Sequence, residues 1–177
     1  SDSHSVNTVI KVTQAAAGAA KVYTLSFTSI SNNNGNYTGS WDQTCGGFTW
    51  TLTAFNNNNG GWTSQGIVKC GRNATASTAT VVTKTAIAEA IKTVDLTLTA
   101  CNTTGVTSIT LYVDTANTFD SANLQTIAGT VQNGDQQFTI TTPTAKCYYK
   151  LEFVCNNSVK SNGYVSLSSV VFTEQTD

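Results

Sequence analysis

The feature that most constrains this chain is a two-residue period that recurs from Lys21 to its end. Tyr23, Leu25 and Phe27 fall on one side of an extended segment. Phe48, Trp50, Leu52 and Ala54 do the same, with Thr49, Thr51 and Thr53 opposite. Val94, Leu96 and Leu98 alternate with Asp95, Thr97 and Thr99, and Ile109, Leu111 and Val113 with Thr110 and Tyr112. Tyr149, Leu151 and Phe153 alternate with Lys150 and Glu152. Side chains on a strand point to opposite faces in turn, so this pattern predicts antiparallel strands with one face buried and one wet. Threonine on the wet side adds β-propensity. Further strands are expected near 65–70, 77–83, 124–131, 136–142 and 164–172, which gives about ten in all.

Asparagine and glycine supply the breaks. Asn32 to Gly35 and Asn56 to Gly61 read as loop tips that tolerate positive φ. Asn102 to Gly105 and Asn133-Gly134-Asp135 read as tight hairpin connections. Thr85 to Lys92 alone has helical spacing, with Ile87 and Ile91 four apart; it fits a short turn of helix or a crossover between sheets. No strand–helix alternation, internal repeat or linker divides the chain. The expected fold is all-β: a single antiparallel β-sandwich of jelly-roll type. Residues 1–20 are expected to be a flexible N-terminal segment with the first edge strand, and 21–177 the sandwich domain. The chain begins at Ser1 and contains no methionine, as expected of a mature or excised segment whose signal peptide or neighbouring domains are missing.

Charge is scarce. Nine basic and ten acidic residues among 177 leave a formal charge of −1. With no cluster of Lys and Arg, nucleic-acid binding by phosphate neutralisation is not expected. No apolar run approaches the ~20 residues of a membrane-spanning helix. The one histidine, His4, lies near the N-terminus, where a catalytic dyad would lack a rigid base. No pair among the ten acids is marked out for glycosidase chemistry. The expectation is therefore a chain without enzymatic activity.

The five cysteines are Cys45, Cys70, Cys101, Cys147 and Cys155, an odd number that leaves at least one thiol without an internal partner. Cys147 and Cys155 share a strand parity and would stand about 26 Å apart on a continuous strand, too far to bond. The others fit either small apolar core positions or one or two bridges. Zinc is not expected, since there is no C-x2-C pair. Asp114, Asn117 and Asp120 place three oxygen donors at three-residue spacing in a turn, which nominates them for a structural Ca²⁺. The same residues also serve ordinary turns through side chain-to-backbone bonds. No cofactor is required.

Several aromatic residues stand off the core parity. Trp62 lies between Gly61 and Thr63, and Trp41 between Ser40 and Asp42. Tyr37 follows an Asn/Gly tract and Tyr164 follows Asn162-Gly163. An exposed ring rimmed by polar groups is a contact surface, and the C–H faces of sugars stack on indole and phenol rings. Trp62, Trp41, Tyr37 and Tyr164 are therefore the candidate stacking residues, with Arg72, Gln65, Asn59 and Asp42 as hydrogen-bonding neighbours. The competing reading has Trp41 and Trp62 folding back to cap the sandwich ends. Asn-x-Ser/Thr triplets begin at Asn36, Asn73, Asn102 and Asn156.

Lys21 to Thr173 resembles the galactose-binding-like jelly-roll carbohydrate-binding modules of secreted bacterial glycan-degrading and surface proteins. The resemblance rests on Phe48-Thr49-Trp50-Thr51-Leu52, Gly66-Ile67-Val68-Lys69-Cys70-Gly71, Val94 to Thr99, Val106 to Asp114, Cys147 to Leu151 and Gly163 to Leu167. It implies the sandwich fold, glycan binding and often a structural Ca²⁺, and it transfers no binding residue, because ligand positions vary among such modules. The expected function is non-catalytic binding of a neutral polysaccharide, such as a plant cell-wall glycan, by a module of a larger secreted or cell-surface protein. The alternative is a structural or adhesive surface domain, or a phage receptor-binding part, without sugar specificity.

Overall fold

The computed structural model describes residues 18–28, 36–57 and 63–176. Within them the alternating segments form twelve strands and one short 3₁₀ turn, Thr63–Gln65. The strands are β1 (Val22–Ser26), β2 (Ser40–Cys45), β3 (Phe48–Thr53), β4 (Phe55–Asn56), β5 (Val68–Cys70) and β6 (Ser77–Thr83). They continue as β7 (Ile91–Cys101), β8 (Val106–Asp114), β9 (Gln125–Ala128), β10 (Gly134–Thr139), β11 (Tyr148–Cys155) and β12 (Val165–Glu174). Two antiparallel six-stranded sheets result. One runs β2-β3-β6-β11-β8-β9. The other runs β10-β7-β12-β5-β4, with β1 also on β12. From β6 onward nearly every connection crosses from one sheet to the other, in the winding of a jelly roll.

β12 organises the second sheet. β7 pairs along nearly all of one edge, while the other edge is shared end to end, β5 on Val165–Leu167 and β1 on Ser169 to Thr173. The register with β7 shifts at this junction, between Leu167 and Ser169, and the Ser168 hydroxyl donates to the Thr97 carbonyl at 3.3 Å. An extra residue there re-aims the strand, so Leu167 and Val170 both face inward despite their odd spacing.

The inward parities of the two sheets meet in one core. Trp50 stacks on Phe172 across the sandwich at 6.1 Å, and Tyr149 meets Phe172 edge-on at 5.5 Å. Phe55 and Phe153 make a second cross-sheet contact at 5.8 Å. Each fully buried large side chain contributes roughly 1.5–3 kcal/mol.

Two local expectations change. Asn102 to Gly105 and the Asn133-Gly134 turn do not make hairpins, since each joins strands of opposite sheets. Their chemistry is that of turns all the same: the Asn102 side-chain oxygen accepts from the Thr104 and Gly105 amides, and that of Asn133 from the Cys101 amide. Of Thr85 to Lys92, the part up to Ala90 is the crossover, not a helix, pinned by a bridge between Ile87 and Cys147, and Ile91 and Lys92 already belong to β7. Residues 1–17 lie outside the described residues; 18–20 are irregular, and the first described strand begins at Val22.

Candidate functional site

The residues nominated from sequence do not form one exposed cluster. Trp62 and Asn59 lie outside the described residues. Trp41 is 7% exposed, on the inward parity of β2, and its indole N–H donates to the Phe55 carbonyl at 2.9 Å. It caps the core and presents no face to a ligand. Tyr164 is 1% exposed; its hydroxyl is shared between the carbonyls of Arg72 at 2.6 Å and Val159 at 2.9 Å. Its ring lies between two backbones. A Cβ on Gly71 would stand 2.4 Å from its Cγ, and one on Gly105 2.6 Å from its Cδ2. Tyr37 is 8% exposed at the same end, and burial, then the neighbouring Cys70, pushes its phenol up to about 12. These three rings are therefore structural. The Asn162-Gly163 neighbours of Tyr164 come from the turn that aims it inward, not from exposure.

Of the polar candidates, Arg72 is half-buried at the turn after β5 and Gln65 is exposed in the 3₁₀ turn. Asp42 points from the outer face of β2, accepting from the Thr51 hydroxyl at 2.7 Å and pairing with Lys84. The Lys84 ammonium, then the Thr51 hydroxyl, holds its carboxyl below the usual range.

The Asp114–Asp120 turn is organised around Asp114. Asp114 lies on the outward parity of β8, yet it is 1% exposed because the following loop folds over it. Its carboxylate accepts from the Ser121 amide at 3.0 Å, the Ser121 hydroxyl and the Ala116 amide at 3.3 Å. Burial pushes this carboxyl up, but the bonds from Ser121, Ala116 and Thr115 outweigh it and hold it below its ordinary value. Asn117 and Asp120 are exposed, and Asp120 accepts from Thr118 at 2.5 Å. Among the described residues no three His, Cys, Asp or Glu side chains converge as a metal site.

What the loop positions is Phe119. This residue takes φ of 56°, a conformation costly for an aromatic, and brings its ring over the sheet face. Lys150, outward on β11, has its ammonium 5.0 Å from the Phe119 centroid and 4.2 Å from that of Tyr112. Tyr112 stands directly opposite Lys150 in the β8–β11 register and donates to Glu152 at 3.3 Å. Burial, then the Glu152 charge, raises the Tyr112 phenol. Lys150 and Glu152 approach to 3.9 Å, and Tyr148 shares their parity one step along β11. The outer face of the β2-β3-β6-β11-β8-β9 sheet thus holds Tyr112, Phe119 and Tyr148 around one ion pair. On β6, Val82 stands beside Lys150 and Thr80 beside Glu152, with Thr51 and Thr53 beyond them on β3.

This cluster was hidden in the sequence because its members sit on the polar parity or in the turn. The readable signal was tyrosine recurring where the same faces otherwise carry threonine: Tyr112 beside Thr110, and Tyr148 beside Lys150. The far side of the loop walls a hollow of about 360 Å³, lined by Thr115, Asn123, Gln125, Thr142 and Cys147 among others, with no aromatic ring. Among the described residues no helix is long and apolar enough to cross a membrane. No protein-family model matches the chain, and no curated protein matches it.

Proposed function

We propose that this chain is a non-catalytic module that binds a neutral polysaccharide, carried by a larger secreted or cell-surface protein, and that the ligand lies on the outer face around Tyr112 and Phe119. The observation that carries this reading is the half-buried aromatic cluster about Lys150 on a face otherwise rich in threonine. Sugar rings have apolar C–H faces that stack on such side chains, and hydroxyls that Glu152, Lys150 and the flanking threonines can hydrogen-bond. A formal charge of −1 suits a neutral glycan better than an anionic one. The shape of the site supports binding and not turnover: it is a flat sheet face, where a glycosidase needs two carboxyls across a cleft.

The test is affinity electrophoresis on a panel of soluble polysaccharides, with wild type beside Tyr112→Ala and Phe119→Ala. Retardation on a neutral glycan, weakened about tenfold by either substitution, is expected, since a stacked ring at a contact centre is worth about 1.4 kcal/mol or more. No retardation on any glycan, with all three proteins folded, would replace this reading with a structural or adhesive domain. Retardation unaffected by either substitution would keep glycan binding and move the site.

A further inference from the structure

One end of the sandwich collects three buried thiols, and none of them touches the aromatic face. Cys70 faces inward on β5, Cys101 ends β7 and Cys155 ends β11; all belong to the same core cluster. Their strand registers exclude one of the possible pairs. Val165 of β12 is opposite Cys70 on one side and Cys101 on the other. Those two are thus separated by two strand spacings, about 9–10 Å at ~4.8 Å each, beyond the ~7 Å Cα separation a disulfide spans. Cys70 and Cys155, in contrast, come from facing sheets. Phe55 is the register partner of Cys70, Phe153 shares the inward face of β11 with Cys155, and those two rings touch across the interface. Cys70 and Cys155 stand beside that ring contact, each free in this structure and each within the other's electrostatic reach. Cys147 immediately precedes β11, the strand of Cys155, at its far end, and Cys45 lies on the outer strand β2.

We propose that Cys70 and Cys155 are a disulfide site that staples the two sheets when the chain folds in an oxidising compartment, leaving Cys45, Cys101 and Cys147 as thiols. The oxidant is a small-molecule disulfide. The Cys155 thiolate attacks it, forming a mixed disulfide and releasing one small thiolate. The Cys70 thiolate then attacks the Cys155 sulfur and releases the second. The protein gives up two hydrogens, and the reagent leaves as two thiols. The two cysteines can act in either order, because the environments that distinguish them form only once the sheets have met. Both sulfurs are closed off in the finished sandwich, so the exchange belongs to folding, before the sheets meet.

The sequence makes the test direct, because trypsin places each cysteine on a separate peptide. The full chain is unfolded, reduced, refolded in mixed oxidised and reduced glutathione, alkylated after denaturation and digested without reductant. The expected product joins peptide 70–72 to peptide 151–160, two hydrogens lighter than their sum, with alkylated Cys45, Cys101 and Cys147. The link should persist in Cys101→Ala, and the oxidised chain should melt at higher temperature than the reduced one. Five alkylated cysteines in refolded protein, or a link from peptide 93–146 to 151–160, would overturn the proposal.

Discussion

Replacing Asp114 by alanine tests whether this carboxylate is the keystone of the loop that carries Phe119. The substitution removes the acceptor of two good charge-assisted bonds, from the Ser121 amide and hydroxyl, and of one longer bond from Ala116. Bonds to a buried charge contribute about 1.5–3 kcal/mol each, and water can reach Ser121, which is half-buried, so the lower half of that range applies. The expected loss is about 3 kcal/mol, or roughly 6–12 °C in melting temperature for a domain of this size. Asp114→Asn keeps one acceptor but faces the Ser121 amide with a donor, and should lose about half as much. The effect carries a pH signature. The folded-state carboxyl lies below its ordinary value, so its stabilisation is complete above the unfolded value near ~3.9 and is lost as pH falls through the folded one. Urea denaturation followed by circular dichroism should show the full gap between wild type and Asp114→Ala at neutral pH and a closing gap in acid. A chelator should leave the wild-type midpoint unchanged. A gap under ~0.5 kcal/mol at neutral pH, or one that persists in acid, would refute the argument. A chelator that lowers wild type to the level of the variant would assign the carboxylate to a bound cation.

Three further outcomes follow from the packing. Gly71→Ala should cost more than ~3 kcal/mol, or prevent soluble expression, because it adds left-handed strain at φ 96° to a collision with Tyr164. Gly46→Ala, at φ 56° in open space, should cost only about 1 kcal/mol, so the difference between the two melting curves isolates the collision. Tyr164→Phe should cost about 1 kcal/mol by removing the hydroxyl's bonds to the Arg72 and Val159 carbonyls, which keep the Thr75 and Ala74 amides as donors; a loss below ~0.5 kcal/mol would show that the ring alone closes this end. Phe119→Gly removes the ring and relieves its positive φ together, so stability should stay within about 1 kcal/mol while glycan retardation falls; unchanged retardation would remove Phe119 from the site.

The strands were legible where hydrophobic alternation was clean, as in β3, β7, β8 and β11. β2 was not, because its inward residues are Trp41, Gln43 and Cys45. A buried glutamine breaks the hydrophobic pattern, and only the tertiary fold explains it: its amide donates to the Ser26 carbonyl of β1 at 3.2 Å, closing the gap between the sheets at that edge. The same limit applies to the turns. Asn36, Asn102 and Asn156 each accept from the amide two residues on, and Asn36 and Asn156 also from the hydroxyl there, so their Asn-x-Ser/Thr triplets work as local turn motifs. That chemistry is identical whether the next strand pairs with the last or crosses to the other sheet, so a hairpin cannot be told from a crossover by its turn. For the site, an aromatic beside Gly and Asn suggested exposure. Yet glycine serves two ends, flexibility at a tip and close approach in the core, and at Gly71 and Gly105 it admits the Tyr164 ring.

The hydroxyl-rich surface also explains why contact should concentrate at so few residues. On the outer faces, neighbouring strands use their threonines on one another: Ser40 with Thr53 at 2.7 Å, Thr44 with Thr49 at 2.9 Å, Thr51 with Asp42 at 2.7 Å and Thr97 with Asp135 at 2.7 Å. A ligand hydroxyl arriving there exchanges one satisfied bond for another and gains little, as water does. Threonine pairs of this kind stabilise the sheet by roughly 0.2–1 kcal/mol each. The exception is where an aromatic ring stands in the row. Tyr112 and Phe119 offer apolar area that water solvates poorly, and Lys150 and Glu152 fix polar directions beside it. The threonine rows are thus the neutral frame of the proposed site, and the glycan binding we propose draws its energy from the few positions that interrupt them.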